Sequence, residues 1–515
     1  MVRIEIRPYR TLRRFGAAAV LAALHGLSVA QVGPGTAPSQ GGITPIGVGS
    51  GTPDARRYTI EPGVRARVDV SDNIDLTANG PSGTLLEVMP YVNATLNSPR
   101  GVGTLNYGLR GLFRDGGDGS STEVRQDLRA WADIKLAEDN LRLLARANVF
   151  DVTASPFGSA SFDPATQTSN RAQYKDFELS PYAFGRFDGD GQWSARYSLR
   201  YVDPGTASSS STINQLSAFG RSDMVRRRFA LSADLVAYDV GYQGGLDYRG
   251  ETFDLLGWVR IDPTLRVGAG YGYSHNSILF NLGGDNSGWG PTLAAEWAPD
   301  TRTFVFGRIS DRYFGTAADL RASHRAARWT FGLQASKGIS DGNRSSLYAL
   351  NTVSLFNAGA PMGMPASSAT NPVSQSLTDQ NLLSPVGGAY GSGNVDSPLV
   401  YYGSALASAG WSGARDSLLG TLFVNNRRTA VAFSTLTSQD VDQWGAWLQW
   451  THRLNTRNAL SASVRLTRSD DNLTGSQANL AGLWASWDYR LTARSYTSLG
   501  LRTQRQRGDG ATVRF

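Results

Sequence analysis

Leu128-Arg129-Ala130-Trp131-Ala132-Asp133-Ile134-Lys135-Leu136 changes character at every step. Leu128, Ala130, Ala132, Ile134 and Leu136 hold one phase, and Arg129, Trp131, Asp133 and Lys135 hold the other. Successive side chains of a strand point to opposite faces, so a period of two makes one greasy face and one wet face. The pattern returns along the chain. Val64, Ala66, Val68 and Val70 alternate with Arg65, Arg67 and Asp69. Leu141, Leu143, Ala145, Ala147 and Val149 alternate with Arg142, Arg146 and Asn148. Trp193, Ala195, Tyr197, Leu199 and Tyr201 alternate with Ser194, Arg196, Ser198 and Arg200. Leu460, Ala462, Val464 and Leu466 alternate with Ser461, Ser463 and Arg465.

Water-soluble sheets alternate too, but their strands average about 5–6 residues. The segments here run ~10–14 residues, which suits a tilted strand crossing a bilayer. Beyond the first 30 residues no stretch reaches the length of a membrane-spanning helix. Lipid offers no water to a free strand edge, so a sheet of such strands has to close on itself. The expected fold is all-β: a transmembrane, antiparallel, up-and-down β-barrel of about 22 strands, with a range of roughly 18–24.

Barrel strands alternate short periplasmic turns with longer outer loops. If the first strand runs outward, Asp72 to Gly83 is external and Ser98-Pro99-Arg100-Gly101 is a short turn. External Asp115 to Ser121, Ser155 to Ala172 and Asp203 to Arg221 are separated by short Ala137 to Asn140 and Asp188 to Gly191. Short Asp262-Pro263, Ala298-Pro299-Asp300 and Asn455-Thr456-Arg457 contrast with external Asn276 to Ser287 and Ser469 to Gly475. External turns near Tyr248 to Gly250 and at Asp311 to Gly315 are short exceptions. The phase returns the last residue to the periplasm. Ser340 to Pro398 is the longest gap, read as an outer loop or an inward constriction, and Leu347 to Phe356 within it is apolar enough for one short element. Trp193, Trp258, Trp297, Trp329, Trp411 and Trp450 fall near strand ends, where barrels carry aromatic girdles.

The N-terminus has the form of a secretory signal over residues 1–30. Arg3, Arg7, Arg10, Arg13 and Arg14 precede the apolar run Phe15 to Leu27. Ser28-Val29-Ala30 sets small residues for cleavage between Ala30 and Gln31. The Arg13-Arg14 pair also fits a twin-arginine route. Residues 31–56, rich in Gly, Pro, Ser and Thr, read as a flexible periplasmic tail. The barrel is expected over 57–515, with 340–398 as its long loop. At the other end, Gly510, Val513 and Phe515 resemble the signal that barrel-insertion machinery reads.

The formal net charge is +7, but the first 30 residues contribute +4 of it. The remainder is near neutral, which removes the case for a nucleic-acid partner. With no cysteine in the chain, disulfides, thiolate metal sites and cysteine nucleophiles are excluded. His275, His324 and His452 follow the signal, far apart in sequence, so no metal site or cofactor is expected. No nucleophile elbow, P-loop or dinucleotide fingerprint occurs. The expected lumen lining includes Arg65, Arg67, Asp69, Arg129, Asp133, Arg142, Arg146, Arg196 and Arg200, all in the polar phase. Charged rings tune pore selectivity. The same set would equally make a mutually neutralised network that stiffens the wall.

Short patches along the mature chain resemble the PEP-CTERM system-associated outer-membrane β-barrel family. They include Val70-Ser71-Asp72-Asn73-Ile74, Val88-Met89-Pro90, Arg312-Tyr313-Phe314-Gly315, Ser323-His324-Arg325 and Arg328-Trp329-Thr330-Phe331. Arg415-Asp416-Ser417, Asn426-Arg427-Arg428, Gly445, Thr451-His452-Arg453-Leu454 and Trp487-Asp488-Tyr489-Arg490-Leu491 continue the series. The resemblance implies a setting near exosortase and exopolysaccharide genes and no catalytic residues. The expected partners are the lipid bilayer, the insertion machinery, and exopolysaccharide with its periplasmic export proteins. The expected function is passage across the outer membrane, or support of it. A non-conducting scaffold and a lipid-modifying barrel enzyme are the alternatives.

Overall fold

The structure is a computed structural model. It describes residues 58–514 except 78–79, 117–119, 138–139, 154–156, 159–169, 188–190, 204, 206–209, 223–227, 244–246, 278–286, 342–398, 430–439, 493–494 and 509–510. The signal, the cleavage site at Ala30 and Gln31, the periplasmic tail and Leu347 to Phe356 lie outside the described residues.

The chain forms an antiparallel up-and-down β-barrel. Its strands are β1 (Tyr58–Ser71), β2 (Gly83–Ser98), β3 (Gly101–Gly116), β4 (Ser121–Ala137), β5 (Leu141–Thr153), β6 (Arg171–Phe187) and β7 (Gly191–Asp203). Next come β8 (Ser211–Ser222), β9 (Phe229–Tyr242), β10 (Tyr248–Arg260), β11 (Leu265–Asn276), β12 (Ser287–Asp300), β13 (Thr303–Arg312) and β14 (Gly315–Arg325). The last are β15 (Trp329–Asp341), β16 (Leu399–Ser412), β17 (Asp416–Thr429), β18 (Asp440–Arg453), β19 (Asn458–Asp471), β20 (Gln477–Arg490), β21 (Tyr496–Gly508) and β22 (Ala511–Arg514). Each pairs with its neighbour in sequence, as chain-local hairpins require. Arg502 on β21 lies within electrostatic range of Arg67 and Asp69 on β1, so the sheet curves back toward its first strand.

Connections at the two ends differ as barrel physics demands. At the end where β2 meets β3, they run from two to six residues; at the other they reach 57. Three short turns share one device. Asp262 Oδ1 accepts the backbone N–H of Thr264 and of Leu265, at 2.6 and 2.9 Å. Asp300 does the same for Arg302 and Thr303, and Asn455 for Arg457 and Asn458. A side-chain oxygen that mimics a backbone acceptor closes the turn. Hydrogen bonds from the Thr264 hydroxyl and backbone hold the Asp262 carboxyl below the usual carboxylate range. This turn contribution is present above the ordinary carboxylate pKa and is lost as pH falls through the depressed one. The two-residue β13–β14 connection at the opposite end leads into Gly315 at φ +103°, a conformation that suits glycine.

Two sequence expectations need correction. Ser211 to Ser222, read as part of an outer loop, is strand β8. Its lipid face offers Thr212, Asn214, Leu216, Ala218 and Gly220, too weakly apolar to signal a strand alone. The end of the chain also differs. β22 holds four residues, and Arg514 pairs opposite Arg505 near the outer end of β21. The described chain therefore stops short of the periplasmic end. Val513 pairs with Gln506 there, while Gly510 and Phe515 lie outside the described residues.

The wall bends sharply between β8 and β13. Arg308 on β13 reaches Asp234 on β9 at 3.6 Å, and Arg221 on β8 reaches Glu296 on β12 at 3.3 Å. Strands four apart are ~19 Å apart along a wall with 4.8 Å spacing, so these pairs require tight curvature. Glycines make it feasible. Gly268, Gly270 and Gly272 all occupy the inner face of β11. A Cβ on Gly270 would stand 1.9 Å from the carbonyl oxygen of Leu255, and one on Gly272 would stand 2.2 Å from Asp254 Oδ1. Over-packing of this kind costs about 1–3 kcal/mol or more. Gly270→Val is expected to abolish the heat-modifiable folded band on a gel, whereas Gly410→Ala, whose nearest neighbour atom would be 3.8 Å away, should retain it.

Candidate functional site

Register fixes which way each side chain points. On β1 the even residues face outward, and Val64 and Val70 are 70% and 82% exposed. The odd residues Arg65, Arg67 and Asp69 face the lumen, in register with Met89, Glu87 and Leu85 of β2. The same parity, carried across each ladder, places Arg129, Asp133, Arg142, Arg146, Arg196 and Arg200 inside.

The outer face ends in aromatic rings. Near the short-turn end Trp329 stacks on Phe331 at 5.7 Å and meets Trp411 at 6.3 Å. Trp487 stacks on Tyr489 close by in height, on β20. Near the long-loop end Trp289 meets Tyr273 at 5.2 Å. These are amphipathic rings at two levels, as a lipid–water boundary favours. Trp258 is an exception to the girdle expectation. It faces the lumen at 6% exposure, donates to Ser232 Oγ at 2.8 Å and carries Arg221 over its ring. With Ala230, Leu256, Ala294 and Phe306 it forms an apolar cluster on the inner side of the bend.

Inside, the cations meet acids. Arg65 pairs with Glu87 at 2.6 Å, and Arg110 reaches Glu87, Asp127 and Asp151. Arg67 pairs with Asp69 at 2.8 Å and Arg129 with Asp127 at 3.7 Å. Arg142 pairs with Asp133 at 2.9 Å, and the Tyr182 hydroxyl donates to the same carboxylate. Glu178 joins Arg146 and Arg196 and accepts the Ser180 hydroxyl at 2.6 Å. Arg200 pairs with Asp176 at 2.6 Å. On the bend, Asp254 is gripped by Arg308 and Arg312 and accepts Thr292 Oγ1 at 3.1 Å. All nine lumen candidates therefore belong to ion pairs. Sequence reading passed over their partners Glu87, Asp176 and Glu178. Asp176 and Glu178 stand two residues apart, and that spacing was the available signal.

The lumen face is uneven. Charge concentrates on β1 to β14. On β15 to β19 the inner phase changes to hydroxyls and amides, among them Gln334, Ser336, Ser404, Thr421, Gln443 and Ser463, with Arg465 as a cation in mid-wall and Arg427 near the long-loop end. Ser336 and Ser404 share a hydrogen bond at 2.9 Å, and Gln443 donates to Ser469 at 2.9 Å.

The histidines sit elsewhere. His324 shares a hydrogen bond with Thr303 Oγ1 at 2.8 Å on the outer face. His452 meets Asp416 at 2.7 Å and stacks on Trp450, again facing outward. Ser417, next to Asp416, is on the opposite phase. Among the described residues no group of three acids and histidines is placed to hold a metal ion.

No family model matches the sequence, and no curated protein does. Solved structures with similar architecture include the ferric enterobactin receptor PfeA of Pseudomonas aeruginosa, at 10% identity over 87% of this chain and 74% of that one, with a TM-score of 0.41. The siderophore receptor PirA of the same organism shares 8% identity, over 88% and 80%, with a TM-score of 0.37. Its OccK2, solved in complex with glucuronate, shares 10% identity, over 88% and 96%, with a TM-score of 0.29.

Removing one member of a buried ion network strands the other. Glu178→Gln leaves Arg146 and Arg196 without their carboxylate and is expected to cost about 3–5 kcal/mol, read from urea unfolding by tryptophan fluorescence. Asp69→Asn, at a more exposed pair, should shift the same curve by no more than ~1 kcal/mol.

Proposed function

We propose that this chain forms or supports a passage across the bacterial outer membrane. The observation that carries the reading is the segregation of its two faces. Exposed apolar residues such as Val64, Leu293 and Leu501 line the outside, and ion pairs, hydroxyls and amides line the inside. A barrel of about 22 strands encloses space, and a polar interior suits a hydrated path through it. Because the arginines of β1 to β7 and of the bend are paired with acids, that part of the wall offers no strong field to favour ions of one sign. The resemblance at Arg312-Tyr313-Phe314-Gly315 and the other patches supports the finer proposal, that the cargo is exopolysaccharide in an exosortase-linked system.

A second reading is a non-conducting scaffold for envelope partners. The inward apolar cluster around Leu256 and Trp258, and the tight bend that carries it, favour this reading because they occupy lumen space. Conductance separates the two. The mature protein reconstituted in planar bilayers is expected to give discrete, steady current steps with little preference between potassium and chloride. Silent bilayers holding correctly folded protein would leave the scaffold reading in place.

A further inference from the structure

At the short-turn end, arginines stand opposite arginines. At the foot of β13 and β14 the Arg325 N–H donates to the Arg302 carbonyl at 2.9 Å. At the foot of β17 and β18 the Arg453 N–H donates to the Arg415 carbonyl at 2.7 Å, and at the foot of β19 and β20 Arg490 does so to Arg457 at 2.8 Å. The parity of the adjoining ladders puts all three pairs in the lumen phase. Arg328, just before β15, shares that phase, and its carbonyl accepts the Ser412 N–H at 2.9 Å. Arg302, Arg325, Arg328, Arg415, Arg453 and Arg457 are exposed. Among the described residues none of these six side chains has an ion pair or a hydrogen bond. The acids nearby are engaged. Asp300 caps its turn, and Asp416 meets His452 and Trp450 in the lipid phase. Asp488, in the lumen phase of β20, accepts the Ser486 hydroxyl at 3.4 Å.

Like charges directly opposite one another on a sheet are destabilising. Elsewhere in the lumen an acid on a neighbouring strand relieves them, as Glu178 does for Arg196. On this arc the relief has to come from outside the chain, and the exposed guanidinium groups are open to it. Their planar forks match carboxylate or phosphate oxygens two at a time. Successive hairpin feet lie about 10 Å apart along the rim, two strand spacings each. A single small anion reaches one foot, whereas a linear polyanion reaches several and gains from each further contact. The lumen phase sets the cations around the opening itself, where a threading chain meets them. The lipid phase at this level holds Trp329, Trp450 and Trp487 instead. Salt screens exposed charges within about 3 Å at 1 M and about 10 Å at 0.1 M, so the ring acts on a polymer at moderate salt and sorts small ions little at molar salt.

We propose that this arc of the short-turn mouth is a loading site for a linear polyanion, an acidic polysaccharide carrying carboxylates. The proposal rests on the passage reading and names the class of cargo for it.

The test titrates the mature protein, in non-ionic detergent micelles, with a linear heptauronate at low and at high salt. A neutral heptasaccharide and heptaglutamate are titrated alongside. The uronate is expected to bind at low salt and at least tenfold more weakly at high salt, and the neutral chain is expected not to bind. The Arg415→Gln, Arg453→Gln, Arg457→Gln triple variant should bind the uronate at least tenfold more weakly, with its heat-modifiable gel shift intact. If the triple variant does not fold, Arg302→Gln and Arg453→Gln should each weaken binding several-fold. Arg249→Gln, exposed at the long-loop end beside Asp239, should bind as the parent does. No uronate binding at low salt, equal binding of the neutral chain, or unchanged affinity in the folded variants would each overturn the site. Tighter binding of heptaglutamate than of the uronate also overturns it, in favour of an acidic protein at the mouth. Failure of the passage reading looks different. Bilayers stay silent in that case whether or not the uronate binds, whereas steady current without uronate binding removes this site and keeps the passage.

Discussion

Every backbone N–H and C=O that enters hydrocarbon must be paired within the protein. That single demand organises the chain. It turns each segment into a strand of a continuous ladder from β1 to β21, and it curves the sheet until Arg502 of β21 comes within electrostatic range of Arg67 and Asp69 of β1. Once the ladder exists, register locks parity, because a slip by one residue would swap the two faces of a strand. Arg65 is inside because Val64 is outside, and the ladder carries that choice from strand to strand.

The interior then has its own problem. Arginines in the polar phase would repel one another if left alone, and the structure answers with acids brought from neighbouring strands. Glu178 on β6 takes Arg146 from β5 and Arg196 from β7, one from each side. Across the bend, Asp254 on β10 and Glu296 on β12 tie together strands that are not hydrogen-bonded to each other. Charge pairing thus does two things at once. It neutralises the wall, and on β8 to β13 it holds a curvature that glycines on β11 permit. On β15 to β19 the described cross-strand bonds on the inner face include hydroxyl and amide pairs, Ser336 with Ser404 and Gln443 with Ser469.

The girdle shows how far residue type alone can be trusted. Trp329, Trp411 and Trp450 lie outside at strand ends, as amphipathic rings should. Trp258 has the same composition and a similar distance from its turn, yet it points inward. The difference is parity. Leu255 and Leu256 are both apolar, so the sequence around Trp258 carries no clear period, and only the ladder with β9 and β11 settles its side.

The sequence by itself determined the class of fold and the phase of most strands, because a two-residue period and the pressure to cover backbone in lipid are local facts. It also put all nine charged candidates in one phase of their strands. Strand β8 escaped it, since a lipid-facing row of Thr212, Asn214 and Gly220 gives no apolar signal; pairing with β7 and β9 supplied that strand's stability instead. Only the tertiary structure decided which acid neutralises which arginine, where the wall bends, and which hydroxyls and amides pair across the ladder. Those outcomes depend on residues that closure brings together from different strands, and their separation in sequence leaves no periodic trace to read.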